Sequence, residues 1–196
     1  MFYLDYTMER IKFLTKFPNN VLTLIVFAAF SIRAYNLNYN SPFLDEAQYL
    51  VLGKKVLQGH WQESAPFSWV GGLPLLYPPL AAIFGTFGIL GARFLSVIFG
   101  TVSVYLLYEF AKNLKLSDNE KTNETIGLIA SLLLGILSIP LYLSRLAIYD
   151  TPSFTFFLVG LVLLQKALLL KQPKLWQREN RFFFSSIFFL LSFLTK

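Results

Sequence analysis

The sequence predicts an all-α, polytopic membrane protein with about five transmembrane helices and a long first extracytoplasmic loop that contains interfacial helices. Of the 196 residues, 55% are hydrophobic and only 14% are charged, whereas soluble domains carry about 25% charged residues. A water-soluble chain cannot bury that much apolar surface, so the excess is expected to face lipid. The apolar residues also form runs that approach the roughly 20 residues of a spanning helix, without the alternation of barrel strands.

Five apolar runs are predicted to span the membrane. In chain order they are Val21–Leu37, about Gly91–Ala111, Thr125 to about Leu143, Thr151–Leu170, and a run that begins at Phe182 and is still apolar at Leu194. Pro18-Asn19-Asn20 is a helix-start signal for the first run, and Pro152 has a favourable first-turn position in the fourth. Arg33 is expected to extend its side chain to the interface. Because residues 1–196 stop where the fifth span should emerge, we expect them to be the N-terminal part of a longer transmembrane domain.

Residues 38–90 form the predicted first extracytoplasmic loop. Within it, Leu80–Leu90 is apolar but lies among prolines and glycines, which favours a short interfacial or re-entrant helix over a further span. With five spans and a cytoplasmic N-terminus, ten Lys and Arg residues lie on the cytoplasmic side and three on the outer side. The positive-inside rule favours this topology. The ten are Arg10, Lys12, Lys16, Lys112, Lys115, Lys121, Lys171, Lys174, Arg178 and Arg181; the three are Lys54, Lys55 and Arg145.

The composition also excludes several kinds of site. The chain has no cysteine, which rules out disulfides, thiolate nucleophiles and Cys-based metal sites. His60 is the only histidine, so no site can use two imidazoles. The net charge of +6 comes from short flanks between apolar runs, which is typical of membrane orientation, and no nucleic-acid partner is predicted. The carboxylates leave a divalent metal open, but no metal-ligand spacing is present.

The predicted topology collects ionisable residues at the outer membrane level. Asp45 and Glu46 lie in the first outer loop, Arg145 and Asp150 lie in the second, and Lys196 ends the last span. Transfer of a sugar from a lipid phosphate needs a base for the acceptor hydroxyl and cations for the leaving phosphate. A carboxylate in a partly apolar site has a raised pKa and is a better base.

Each of these residues also has a structural interpretation. Asp45 and Glu46 are suited to the first turn of a helix, and Asp150 is suited to an N-cap. Arg93, Arg145 and Lys196 are suited to the ends of spans. The aromatic residues Trp61, Trp69 and Tyr77 are suited either to stacking on a sugar or to the membrane interface.

Four motifs in order resemble a known superfamily. They are SPFLDEAQYL at 41–50, GGLPLLYPPLAAIFGTFGILGARFLSVIFG at 71–100, YLSRLAIYDTPSFTFFL at 142–158 and FLTK at 193–196. Together they resemble the GT-C glycosyltransferases, and within them the branch of the dolichyl-phosphate-mannose-protein mannosyltransferases (protein O-mannosyltransferases) and aminoarabinose transferases. In the aminoarabinose branch a lysine precedes the Pro-Pro of the loop, whereas Tyr77 stands here, which argues against an aminoarabinose or lipid A role.

The resemblance implies a function and a role for each matching residue. Asp45 would be the general base and Glu46 its support, Asp150 would be a second acid in the cavity, and Arg93, Lys196 and, less directly, Arg145 would hold the lipid phosphate. The protein would be a multi-pass enzyme of the cell membrane. It would move a sugar from a polyprenyl-phosphate-linked donor to a hydroxyl acceptor, on a protein or glycolipid, at the extracytoplasmic face and with inversion.

A non-enzymatic membrane component remains the alternative, either a transport or assembly subunit or an inactive fragment. A transporter is expected to place ionisable groups within its spans near the middle of the membrane. The ionisable residues of this chain cluster at one face instead, which favours the enzyme.

Overall fold

The computed structural model of the protein describes residues 20–60, 76–169 and 175–195, and all regular structure in these ranges is helical. The described residues form eight α-helices and no strand, which confirms the predicted all-α class. The helices are α1 Asn20–Ala34, α2 Leu44–Leu57, α3 Tyr77–Phe84, α4 Ile89–Lys112, α5 Glu120–Ile136, α6 Ser138–Leu143, α7 Asp150–Leu168 and α8 Leu175–Thr195; a 3₁₀ turn covers Gly85–Phe87.

Two of these helices are long and apolar enough to cross a membrane, namely α4 with 24 residues and α7 with 19. Helix α1 is also apolar but has only 15 residues. Its large side chains Leu24 and Phe27 are 65% and 68% exposed, as expected for a helix that faces lipid rather than water. The five-span topology and its orientation in the membrane stay predictions.

Helix α4 lies at the centre of the bundle and packs against α1, α5 and α7, while α8 packs on the far side of α7. Short hydroxyl side chains join these helices. Ser103 of α4 and Thr155 of α7 are 2.8 Å apart at their hydroxyl oxygens, and the hydroxyls of Ser153 and Ser192 each donate to the other residue's carbonyl. Small residues and hydroxyl bonds of this kind are typical of close contacts between membrane helices.

The third predicted span is helical but interrupted. Helix α5 ends at Ile136, and Leu137 has φ −56° and ψ 132° before α6 begins. Pro140 supplies the physical reason, because it has no N–H for the Ile136 carbonyl and its ring obstructs a continuous helix. The last run also differs from the prediction, since its helix begins at Leu175 rather than at Phe182.

The described part of the first loop folds as two helices that cross closely. Gly53 of α2 lies against the Pro78 carbonyl of α3, where any Cβ would collide with that oxygen. Helix α3 has eight residues, a length of about 12 Å, so it cannot cross a hydrocarbon core of about 30 Å. Gly88, at φ 76°, turns the chain from the 3₁₀ turn into α4 with a backbone conformation that glycine adopts without strain.

The prediction that Arg33 extends to the interface is wrong. Its residue surface is 1% exposed, and its guanidinium bonds to backbone carbonyls inside the bundle. Carbonyls at the end of a helix have no partners within that helix, so they can accept hydrogen bonds from the guanidinium in place of water.

Candidate active site

Glu46 is the most strongly fixed of the predicted site residues. It is completely buried, and each carboxylate oxygen accepts two hydrogen bonds. Oε1 accepts from Arg93 Nε at 2.8 Å and from the Ala147 N–H at 2.7 Å. Oε2 accepts from Arg93 Nη2 at 2.7 Å and from the Phe43 N–H at 2.8 Å. The carboxylate therefore joins the start of α2 to α4 and to the chain that precedes α7.

These contacts determine the charge of Glu46. Burial raises the pKa of the carboxyl, but the hydrogen bonds from Arg93 and from the two backbone N–H groups outweigh it and hold the pKa below its ordinary value. Hydrogen bonds to the charged form of a carboxylate have this effect. Glu46 is therefore an ionised structural residue, unsuited to take a proton near pH 7.

Arg93 belongs to the same hydrogen-bond network as Glu46. Besides its two bonds to Glu46, Nη1 donates to the Leu37 carbonyl at 2.6 Å and, at 3.4 Å, to that of Asn40. Its side chain is completely buried. To hold a lipid phosphate, as the resemblance implies, Arg93 would have to give up some of these bonds. The geometry favours a positioning role, and the phosphate contact stays a prediction.

Asp45 precedes Glu46 on the same helix but lies on its exposed side. Successive residues of an α-helix point about 100° apart, so the burial of Glu46 leaves Asp45 facing outward. Asp150 is also exposed, in the first turn of α7. The structure thus presents two exposed carboxylates, one from each of the two acidic motifs.

Three tyrosine rings contact one another near the two carboxylates. The Tyr49 ring contacts those of Tyr77 and Tyr149, with centroids 5.6 and 5.7 Å away. Burial raises the pKa of Tyr49, and Tyr149, Asp45 and Asp150 raise it further by their charges. Burial and both carboxylates likewise raise the pKa of Tyr149. The charges of Asp45 and Asp150 thus both raise the pKa of the same two phenols, so both acids lie near one tyrosine cluster.

Arg145 lies between α6 and α7 and contacts the residues that follow α1. Its Nη2 donates to the Tyr35 carbonyl at 2.7 Å and to the Asn36 carbonyl at 3.2 Å. Its guanidinium carbon is 4.5 Å from the centroid of the Tyr39 ring, a cation–π contact. Lys196, Trp61 and Trp69 lie outside the described residues.

Within the described ranges, no three Asp, Glu or His side chains are grouped so that they could hold a metal ion. The exposed carboxylates of the described site are suited to acid–base chemistry.

Sequence reasoning missed two parts of the site. One is the tyrosine cluster, for which a signal existed, since Tyr49 follows Asp45 by four residues and therefore shares its helix face. The other is the Ala147 N–H, which sequence cannot identify because it bonds to Glu46 across 101 residues.

The comparisons with known proteins give one family. Residues 74–196 match the family model of the dolichyl-phosphate-mannose-protein mannosyltransferases. No curated protein and no solved structure was found to match the chain. Asp45 and Glu46 precede the matched residues, but Glu46 bonds to Arg93 and Ala147 inside them. Since the match covers more than half of the sequence, the chain belongs to the dolichyl-phosphate-mannose-protein mannosyltransferase family, and this points to a membrane glycosyltransferase.

Proposed function

We propose that this protein moves a sugar from a polyprenyl-phosphate-linked donor to a hydroxyl group on a protein or glycolipid, at the extracytoplasmic face and with inversion. The observation that carries the proposal is the pair of exposed carboxylates, Asp45 and Asp150, which lie near the same two contacting tyrosines, Tyr49 and Tyr149. Family membership supports the reaction class.

The base in this proposal is Asp45. Its carboxylate takes the proton of the acceptor hydroxyl as that oxygen forms a bond to the anomeric carbon of the sugar. The bond from this carbon to the phosphate oxygen breaks, and the phosphate leaves with the electron pair. One base and one displacement invert the anomeric configuration, since no covalent sugar–enzyme intermediate forms.

Glu46 and Arg93 have a positioning role in this mechanism. Their buried ion pair fixes the first turn of α2, and Asp45 lies in that turn. A catalytic group held by packing and by hydrogen bonds keeps its geometry through the reaction. Asp150 is the second acid of the site.

Cations would stabilise the charge that develops on the leaving phosphate. Lys196 and Arg145 are the candidates for this contact. Arg145 has a buried Nε without a hydrogen-bond partner among the described residues, which supports its inclusion. A guanidinium donates to phosphate through charge-assisted hydrogen bonds.

Transfer by the full-length protein in membranes, measured with defined polyprenyl-phosphate sugars, tests the proposal. Asp45→Asn keeps the size of the side chain and removes the basic oxygen, so we expect a rate lower by about 10²–10⁴ with donor binding retained. Asp118→Asn is the matched control, because Asp118 is an exposed acid in the loop before α5, and it should transfer at the parent rate. An Asp45→Asn variant as active as the control would show that Asp45 is not the base.

A further inference from the structure

Two short connections carry the acids of the site. Residues 35–43 lead from α1 into α2, and Asp45 lies in the first turn of α2. Residues 144–149 lead from α6 into α7, which begins at Asp150. Neither connection is helical, so the regular hydrogen bonds of a helix do not fix the two acids relative to each other. Bonds between the connections and the helices around them must do so.

Arg145, in the second connection, bonds back to the first. Its Nη2 donates to the Tyr35 carbonyl at 2.7 Å and to the Asn36 carbonyl at 3.2 Å. These two residues directly follow α1, and carbonyls at a helix end lack partners within the helix. The guanidinium carbon also lies 4.5 Å from the centroid of the Tyr39 ring. Arg145 thus ties the chain before Asp150 to the end of α1.

Arg33 forms bonds in the opposite direction, from α1 to the end of α5. Its Nη2 donates to the Leu134 carbonyl and its Nη1 to the Gly135 carbonyl, each at 3.0 Å. Both carbonyls belong to the last turn of α5, where an α-helix has no donors of its own. Arg33 lies two residues before Tyr35, the acceptor of Arg145. Two arginine bridges therefore join the end of α1 to the chain between α5 and α7.

Arg33 also meets the second connection where both pack on α4. A Cβ at Gly100 of α4 would come within 2.5 Å of the Ser144 Cβ and 3.2 Å of Arg33 Nε, so the three residues are in close contact. Arg33 is 1% exposed, and within the described ranges no carboxylate forms an ion pair with it. A cation buried in this way is costly and is expected to have a function.

We infer that Arg33 is a positioning residue of the site. It fixes the chain between α5 and α7 at its start, Arg145 fixes that chain near its end, and together they set the separation of Asp45 and Asp150. This inference rests on the proposed function, in which both acids must meet the substrate in the right geometry. A displacement of about 1 Å can lower the rate about 10²-fold. Arg33 acts through Asp150 and not on the substrate.

The variant Arg33→Met tests this role. It removes the three guanidinium hydrogen bonds and the buried charge, and it keeps an apolar side chain of similar length. In the full-length protein in membranes, we expect kcat to fall about 10²-fold. The KM for the sugar donor should stay unchanged, because no substrate contact is lost.

Asn123→Ala is the matched control, at the opposite end of α5. Asn123 is 7% exposed, and its side chain bonds to the backbone of Ser117 at 2.6 and 3.0 Å. Loss of these bonds should lower the melting temperature and leave kcat unchanged. The control therefore separates a loss of stability from a loss of positioning.

A distance measurement tests the positioning without turnover. Spin labels on cysteines introduced at Leu44, next to Asp45, and at Phe154, one turn after Asp150, occupy positions that are 73% and 41% exposed. Electron paramagnetic resonance should give one main distance in the parent protein and in Asn123→Ala. The distribution should become broader or shift in Arg33→Met.

Gly100→Ala keeps the test independent of whether Arg33→Met folds. Its new Cβ displaces Ser144 and Arg33 at their point of contact, so it should lower kcat and broaden the distances in the same way. The inference is overturned if the folded variants keep the distances or the kcat of the parent, or if Asn123→Ala loses as much kcat. Broadened distances with no sugar transfer by the parent would count against the proposed function alone.

Discussion

Replacing Glu46 with glutamine should destabilise the protein strongly although the side chain keeps its shape. Each carboxylate oxygen accepts one N–H from Arg93 and one from the backbone. Whichever oxygen the amide nitrogen replaces, one Arg93 N–H and one backbone N–H lose their acceptor. The first loss costs about 1.5–3 kcal/mol and the second about 1–3 kcal/mol. Together these losses cost about 2.5–6 kcal/mol, and we expect about 3–5 kcal/mol, the usual cost of breaking a buried ion pair.

Thermal unfolding of the purified protein, followed by tryptophan fluorescence, measures this loss. At about 2–4 °C per kcal/mol for a domain of this size, the melting temperature of Glu46→Gln should fall by about 6–20 °C. The exposed Glu179 of α8 provides the control, since Glu179→Gln should change the stability by less than about 0.5 kcal/mol. If Glu46→Gln and Glu179→Gln have the same melting temperature, the four hydrogen bonds of Glu46 do not stabilise the loop.

The same variant has a predicted pH dependence. The pKa of Glu46 is lower in the folded protein than its ordinary value, so its ionisation stabilises the fold above the ordinary pKa, about 4.3. That stabilisation is lost as the pH falls through the lowered, folded-state pKa. The difference in melting temperature between the parent protein and Glu46→Gln should therefore be full at pH 7 and should shrink only below about pH 4. An equal difference at pH 7 and pH 3 would mean that the charge of Glu46 is not responsible.

Three further predictions concern the loop and the topology. Gly53→Ala should destabilise the protein by about 1–3 kcal/mol, because the new Cβ meets the Pro78 carbonyl; a melting temperature equal to that of the parent would show that α2 and α3 can separate without cost. Single cysteines at Asp45 and Asp150 should react with an impermeant thiol reagent from the same side of the membrane, and labelling from opposite sides would remove the basis of the site. A reporter fused after Lys115 should read as cytoplasmic, and an outside reading would refute the five-span topology.

The helices were predictable because lipid-facing segments must be apolar over most of their surface. Helix α4 begins within two residues of its predicted start, and α7 begins one residue before. The interruption at Leu137 was harder to predict from the sequence, because a proline in an apolar run permits either a kink or a break in the helix. The early start of α8 was missed because Arg178 and Arg181 precede the apolar part of that helix.

The exposure of Asp45 and Asp150 agrees with the prediction that they act on a substrate, but their catalytic roles stay predictions. Arg93 was assigned to the lipid phosphate by the family resemblance, and its place at the start of a span gave only a structural alternative. Its partner in the structure, Glu46, is 47 residues away in the sequence, and spacing alone does not reveal such long-range pairs.

The buried pair of Glu46 and Arg93 also limits how this sequence can change during evolution. Loss of either residue leaves the other as a lone charge away from water, which is strongly unfavourable, so a single substitution at either position should be removed by selection. Replacement of both by apolar residues would still leave the N–H groups of Phe43 and Ala147 without acceptors. An alignment of relatives should therefore show the two positions varying together, with an acceptor side chain kept at position 46.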